Sequence, residues 1–360
     1  MLVACARTRL RPQDIDDLEA LLDDEPRWGY LIALAQYHGV VPLLYHHLKE
    51  QFEERIPPKR LDQLRQQVHM RMTHSLYLTG ELNKLGVLLD EQGLEAITTK
   101  GTSLAQEIYG SVALRPYVDI DLFVRKADYG HFEAFLSDQG YDQLAMSPLQ
   151  KKLYLAIHKQ FTFWCNAEQA GGRLVSVLDV HTDILPPGYT YNETFDSLWE
   201  RAAPLFPNRE SIRSLGREDL LILLCYHGFK NRWDRLKYIV DVAEVIRVSK
   251  NLDWNQIVTR AEAMHGRRVL ALGLHLAQDV LGTSLPQAAS RVVEEESKVR
   301  PLTQALKMRL PAQPHMKVEP YWDRVELNIN AQDSLGGRVR YGVYSAIRRV
   351  AELWMPESAD

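Results

Sequence analysis

Two aspartates two residues apart, Asp119 and Asp121, sit within Leu114-Arg115-Pro116-Tyr117-Val118-Asp119-Ile120-Asp121-Leu122-Phe123-Val124, an apolar run that reads as a buried strand. Side chains two residues apart on a strand share a face and stand about 7 Å apart along the chain. Burying two carboxylates side by side is costly unless a cation joins them. Oxygen ligands of this kind suit a hard cation, Mg²⁺ or Mn²⁺. The competing reading is a strand end whose acids simply meet solvent.

About twenty residues upstream, Leu94-Glu95-Ala96-Ile97-Thr98-Thr99-Lys100-Gly101-Thr102-Ser103-Leu104 reads as a short strand, a Lys-Gly turn and a helix running to about Tyr109. Backbone amides at such a turn and helix start make an anion site, and Lys100 adds a mobile positive charge. Gly101, Thr102 and Ser103 are therefore the expected phosphate cradle. The competing reading is an ordinary turn with Thr102 or Ser103 as a helix cap.

A third acid follows in Gly172-Arg173-Leu174-Val175-Ser176-Val177-Leu178-Asp179-Val180-His181-Thr182-Asp183. This segment reads as a strand entered from the Gly171-Gly172 turn, with residues 158–165 as its hairpin partner. Asp179 and His181 share one face. Two-metal phosphoryl-transfer sites draw carboxylates from neighbouring strands, so Asp179 is the candidate third ligand. His181 either assists or packs, and Asp183 is expected past the strand end, in solvent. Further on, His227, Lys230, Trp233 and Lys237 recur at spacings of three, three and four, which would place them on one helix face.

At these residues the chain resembles the bacterial nucleotidyltransferase family of the DNA-polymerase-beta-like superfamily. The resemblance rests on Thr99-Lys100-Gly101-x-Ser103-Leu104, Ile108-Tyr109, Leu114-Arg115-Pro116-x-x-Asp119-Ile120-Asp121-Leu122-x-Val124, Asp179-Val180-His181, and the stretch from Cys225-Tyr226-His227-Gly228 through Lys230, Trp233 and Arg235-Leu236 to Ile239 and Asp241. It covers roughly residues 15 to 250. One departure is Lys-Gly-Thr-Ser in the phosphate turn, where most of the superfamily carries Gly-Ser.

The resemblance implies an α+β fold, with a polymerase-beta-like mixed-sheet core flanked by N-terminal and C-terminal helical regions. It also implies a metal-dependent transfer of a nucleoside monophosphate from an NTP to a hydroxyl, releasing pyrophosphate. Asp119, Asp121 and Asp179 would hold the metals, with Asp179 as general base or orienting group. Lys100 and the backbone of residues 101–103 would hold the outer phosphates, with His181 assisting. Arg115 would neutralise phosphate or tie down its loop through an ion pair. Lys230 would reach the triphosphate; Trp233 would stack on a base, line the cleft or simply be core. Asp241 is expected to anchor its segment. Two rivals use the same residues: kinase-like phosphoryl transfer, and nucleotide binding without turnover.

These residues need elements to hold them. Helical periodicity covers residues 14–50 and about 60–91, with Gly93 as a stop. Short strands with intervening helices, one over about residues 128–139, fill 94–182. Helices follow again over 220–224, 236–248, 254–262 and 267–281. Four prolines mark residues 301–320 as a connector or lid, and residues 337–355 form a basic amphipathic tail with Arg338, Arg340, Arg348 and Arg349. The expected divisions are an N-terminal helical region over 1–92, a catalytic core over 93–190 and a C-terminal helical domain over 191–360.

With 360 residues, the chain is long enough for more than one substantial core. A net charge of −4 gives no global attraction to nucleic acid, so the expected acceptor is a small molecule, sugar, peptide or protein. Three scattered cysteines, Cys5, Cys165 and Cys225, exclude a disulfide framework and suit a reducing cytoplasm. The apolar start of the chain is too short for a signal-peptide core, and no apolar run is long enough to cross a membrane.

Overall fold

The computed structural model of the chain describes residues 1–169, 172–185, 193–310 and 335–352. Its seven strands are β1 (Ala96–Thr98), β2 (Ile120–Val124), β3 (Asp142–Gln143), β4 (Gln160–Gln169), β5 (Gly172–His181), β6 (Ala203–Pro204) and β7 (Ile212–Ser214). They form one sheet in the order β3-β4-β5-β2-β1-β7-β6. β2 and β5 are parallel, as are β1 and β7, while the other neighbours are antiparallel. The class is α+β with a mixed sheet and flanking helices, as expected. The sheet takes β6 and β7 from beyond residue 190, so it is not confined to 93–190.

Before the sheet come α1 (Leu2–Cys5), α2 (Pro12–Asp23), α3 (Trp28–His38), α4 (Val41–Gln51) and α5 (Pro58–Gln92). α5 begins with a proline in its first turn, where a missing amide costs nothing. It stops at Gly93, whose φ of 63° places it in the left-handed region. Leu78, Leu82, Leu85 and Leu89 recur along α5 at helical spacing and are buried. α6 (Tyr129–Asp138) adds Phe132, Phe135 and Leu136. These side chains join Ile120, Leu122 and Val124 of β2 in one core.

The opposite face carries a second core. Ile97 and Phe123 join it, together with α1–α4 and the later helices α8 (Phe195–Arg201), α9 (Arg217–Lys230), α10 (Leu236–Val248), α11 (Trp254–Ala263), α12 (Arg267–Leu281), α13 (Gln287–Glu295) and α14 (Val299–Lys307). The alternation of β2 between the two cores follows from the two-residue period of a strand. α15 (Leu335–Glu352) carries the basic tail, and residues 353–355 of that reading lie outside the described residues.

Two expectations need correction. Pro301 is not in a connector: it lies in the first turn of α14, where proline fits a helix; the part of the lid from residue 311 lies outside the described residues. Nor do residues 227–237 form one helix face. α9 ends at Lys230, and Arg232 and Trp233 take positive φ values of 57° and 53° before α10 starts at Leu236.

Candidate active site

Strand register assembles the acids. In the parallel pair β2–β5, Asp121 lies opposite Asp179, and Phe123 opposite His181. In the hairpin β4–β5, Thr162 lies opposite Asp179. Thr162, Asp179 and Asp121 therefore form a row across three adjacent strands, on the face away from Ile120 and Leu122. His181, two residues after Asp179, shares that face.

The Thr162 hydroxyl donates to Asp179 Oδ1 at 2.6 Å. His181 Nε2 hydrogen-bonds Asp121 Oδ1 at 3.2 Å. One ligand atom from each of Asp121, Asp179 and His181 lies within 4.8 Å of the others, close enough for one cation after small side-chain shifts. Asp119 lies just before β2 rather than in it. It lines the same cleft but stands outside this three-residue group.

The electrostatics separate the two acids of the motif. Asp121 is 3% exposed, and the Lys100 ammonium donates to its Oδ2. Burial opposes its charge, but Lys100 and His181 overcome that and hold its carboxyl far below the usual range. Burial and the neighbouring Asp121 charge push the Asp119 carboxyl up. Burial would lower the Lys100 ammonium, yet Asp121 and Asp119 reverse this and hold it above its ordinary value. Burial, reinforced by Lys100, lowers both His227 and Lys230.

The Lys-Gly turn is held together by its own hydrogen bonds. Gly101 has a φ of 66°, and a Cβ there would stand 3.5 Å from the Asp119 carbonyl oxygen, so the turn sits directly against the entry to β2. The helix after it is a single wide turn, Leu104–Ile108, and the Ala105 amide is spent on the Gly101 carbonyl at 3.0 Å. The Thr102 and Tyr117 hydroxyls hydrogen-bond at 2.7 Å, and the Ser103 hydroxyl donates to the Lys100 carbonyl at 3.3 Å. Both side chains are buried. Their hydroxyls therefore hold the turn together rather than facing the cleft.

Arg115 takes the second of its two expected roles. Its Nε and one terminal nitrogen donate to the two Asp241 oxygens at 3.1 and 2.8 Å, and the Tyr109 hydroxyl donates to Asp241 Oδ1 at 2.6 Å. Asp241 thus anchors its segment, as expected. Trp233 is 1% exposed; a Cβ on Gly228 would lie 2.4 Å from its ring. It is a core residue of the α9–α10 turn and does not reach the cleft.

A family model described as uncharacterised nucleotidyltransferase matches residues 24–282. The chain belongs to this nucleotidyltransferase family. No curated protein and no solved structure matched it. The match spans the Lys-Gly turn, the acid row and the Arg115–Asp241 anchor, and ends just past α12.

Around the acids, this nucleotidyltransferase has two clefts that meet at Lys100, Asp119 and His227. The first, about 230 Å³, holds Asp121, Asp179, His181, Lys230 and Asn231. Asp183 also lines it. Rather than meeting solvent, Asp183 is half-buried, and its carboxyl is pushed up by that burial. The second cleft, about 360 Å³, runs over Gly101, Arg115 and Tyr117 to Lys237.

Thr162 and Arg71 are not singled out by the sequence motifs. Counting back from a two-residue Gly171-Gly172 turn would pair Asp179 with Trp164, whereas the register pairs it with Thr162, so the sequence gives no usable signal for Thr162. Arg71 has none either, since α5 brings it to the cleft through tertiary packing.

Proposed function

We propose that this nucleotidyltransferase uses a divalent cation to move a nucleoside monophosphate from an NTP to a hydroxyl on a small molecule, sugar, peptide or protein. We place it in the bacterial, DNA-polymerase-beta-like group. The observation that supports this most is the register that gathers Asp121, Asp179 and His181 on one sheet face.

The donor set fits Mg²⁺ or Mn²⁺. Two carboxylates converge with an imidazole beside them, Asp119 stands near for a second ion, and an ammonium already rests against Asp121. When bound, such an ion supplies charge neutralisation at the triphosphate and at the departing pyrophosphate.

The chain's own groups supply the rest. Asp179, with one oxygen fixed by Thr162, accepts the proton of the acceptor hydroxyl. The acceptor's hydroxyl oxygen bonds to the α-phosphorus; the bond from the α-phosphorus to the bridging oxygen breaks, and pyrophosphate leaves with the electron pair. Lys100, on the border of the two clefts, neutralises phosphate charge.

The test uses each of the four NTPs with Mg²⁺ or Mn²⁺ and pooled candidate acceptors. Label on the α-phosphate should appear on an acceptor, label on the γ-phosphate should leave in pyrophosphate, and Asp121→Asn should abolish both. Transfer of γ-label to the acceptor would overturn the reading.

A further inference from the structure

The two clefts differ in charge. The first carries four carboxylates, Asp119, Asp121, Asp179 and Asp183, against two ammonium groups, Lys100 and Lys230. In the second, the only carboxylate among the described lining is Asp119; it faces Arg71, Lys100, Arg115, Arg235 and Lys237. Arg115 is neutralised by Asp241 and Lys100 rests on Asp121. Among the described residues, Arg71, Arg235 and Lys237 form no ion pair with a carboxylate. Arg235 stands over the Tyr37 ring at 5.7 Å and Lys237 over the Tyr238 ring at 5.2 Å. Such contacts orient a cation but leave its charge uncompensated.

Burial and repulsion from Arg115 and Arg235 lower the Lys237 ammonium to about 8, against a weaker pull from Asp241. An anion placed among these groups would relieve that repulsion. Asp179, the group read above as proton acceptor, lines only the first cleft.

We propose that the second cleft is a polyanion subsite: Lys237 and Arg235, supported by Arg71, take the triphosphate tail of the nucleotide and leave the first cleft to the acceptor. The α-phosphorus then lies at the border, beside Lys100 and Asp119. This rests on the nucleotidyl-transfer reading for the identity of the anion, but its test does not require turnover.

Inorganic tripolyphosphate is titrated into the full chain in chelator, by calorimetry, so that no divalent cation contributes. It should bind. Lys237→Gln and Arg235→Gln should each weaken binding about tenfold and together about a hundredfold, the loss expected for charge-assisted hydrogen bonds. Lys237→Arg should retain most of the affinity, which separates lost charge from lost folding. Lys230→Gln, in the first cleft, should change it less than twofold. An NTP in the same chelator should displace the tripolyphosphate.

Three results would overturn the proposal: no binding to the wild-type chain; sensitivity to Lys230→Gln with Lys237→Gln and Arg235→Gln silent; or tripolyphosphate and NTP binding together, which would make the cleft a site for free polyphosphate instead. Tripolyphosphate binding as predicted, with no α-label transfer to any acceptor, would count against the reaction and leave the subsite standing.

Discussion

Asp119 and Asp121 look equivalent in the sequence and are opposites in the fold. Asp121 is the buried counter-ion of Lys100 and a hydrogen-bond partner of His181, whereas Asp119 is an acid whose charge the site disfavours. Removing one partner of a buried pair strands the other. Without divalent cation, Asp121→Asn should therefore lower unfolding stability by roughly 3 kcal/mol, while Asp119→Asn should leave it unchanged or raise it. Urea denaturation in chelator measures both; equal losses would show that Lys100 does not discriminate between them. Lys237 gives a pH signature. Its ammonium is lowered to about 8 in the folded chain, against about 10.4 when unfolded. Between those values the unfolded chain binds the extra proton, so stability contributed by this group rises with pH. The wild type should gain on Lys237→Met by up to about 3 kcal/mol from pH 8 toward pH 10. A flat difference would place the Lys237 ammonium in ordinary solvent.

At the scale of elements, the α9–α10 turn brings Lys230 to one cleft and Lys237 to the other. It works because Gly228 lets the Trp233 ring lie against α9. A methyl at Gly228 cannot fit without moving that ring, so Gly228→Ala should cost about 1–3 kcal/mol of stability and lower the melting temperature. An unchanged melting temperature would mean that the indole has room to shift. This turn also marks where the sequence stops being legible. The i, i+3 spacing of His227, Lys230 and Trp233 mimics a continuing helix, but α9 stops at Lys230, Arg232 and Trp233 take positive φ, and the Trp233 ring packs on Gly228 and on Gly273 of α12, which spacing does not reveal. By contrast, Gly93 and the acid strand were readable because local chemistry decides them: a left-handed stop and a two-residue period. The Thr102–Tyr117 hydroxyl contact was not readable, since its partners sit fifteen residues apart.

Across the whole molecule, Arg115, Asp241 and Tyr109 tie the entry to β2 to α10. Asp241 is 1% exposed, so Arg115→Ala would leave a buried carboxylate with only a phenol. The expected loss is about 3–5 kcal/mol. Arg115→Lys should recover only part of it, because an ammonium cannot form the two-pronged contact. Chemical denaturation of the three proteins tests this, and full rescue by lysine would show that the charge alone matters.

The parallel pairing of β1 with β7 carries one more consequence. Ala96, Ile97 and Thr98 are covered on their outer side only by Ile212, Arg213 and Ser214, more than a hundred residues later. A fragment ending at residue 190 would expose that side as a bare sheet edge, and such edges recruit strands from other molecules. Light scattering should find the 1–190 fragment self-associating under conditions where the 1–282 fragment stays dispersed. A monodisperse 1–190 fragment would mean that the short β7 strand is dispensable as a guard against assembly.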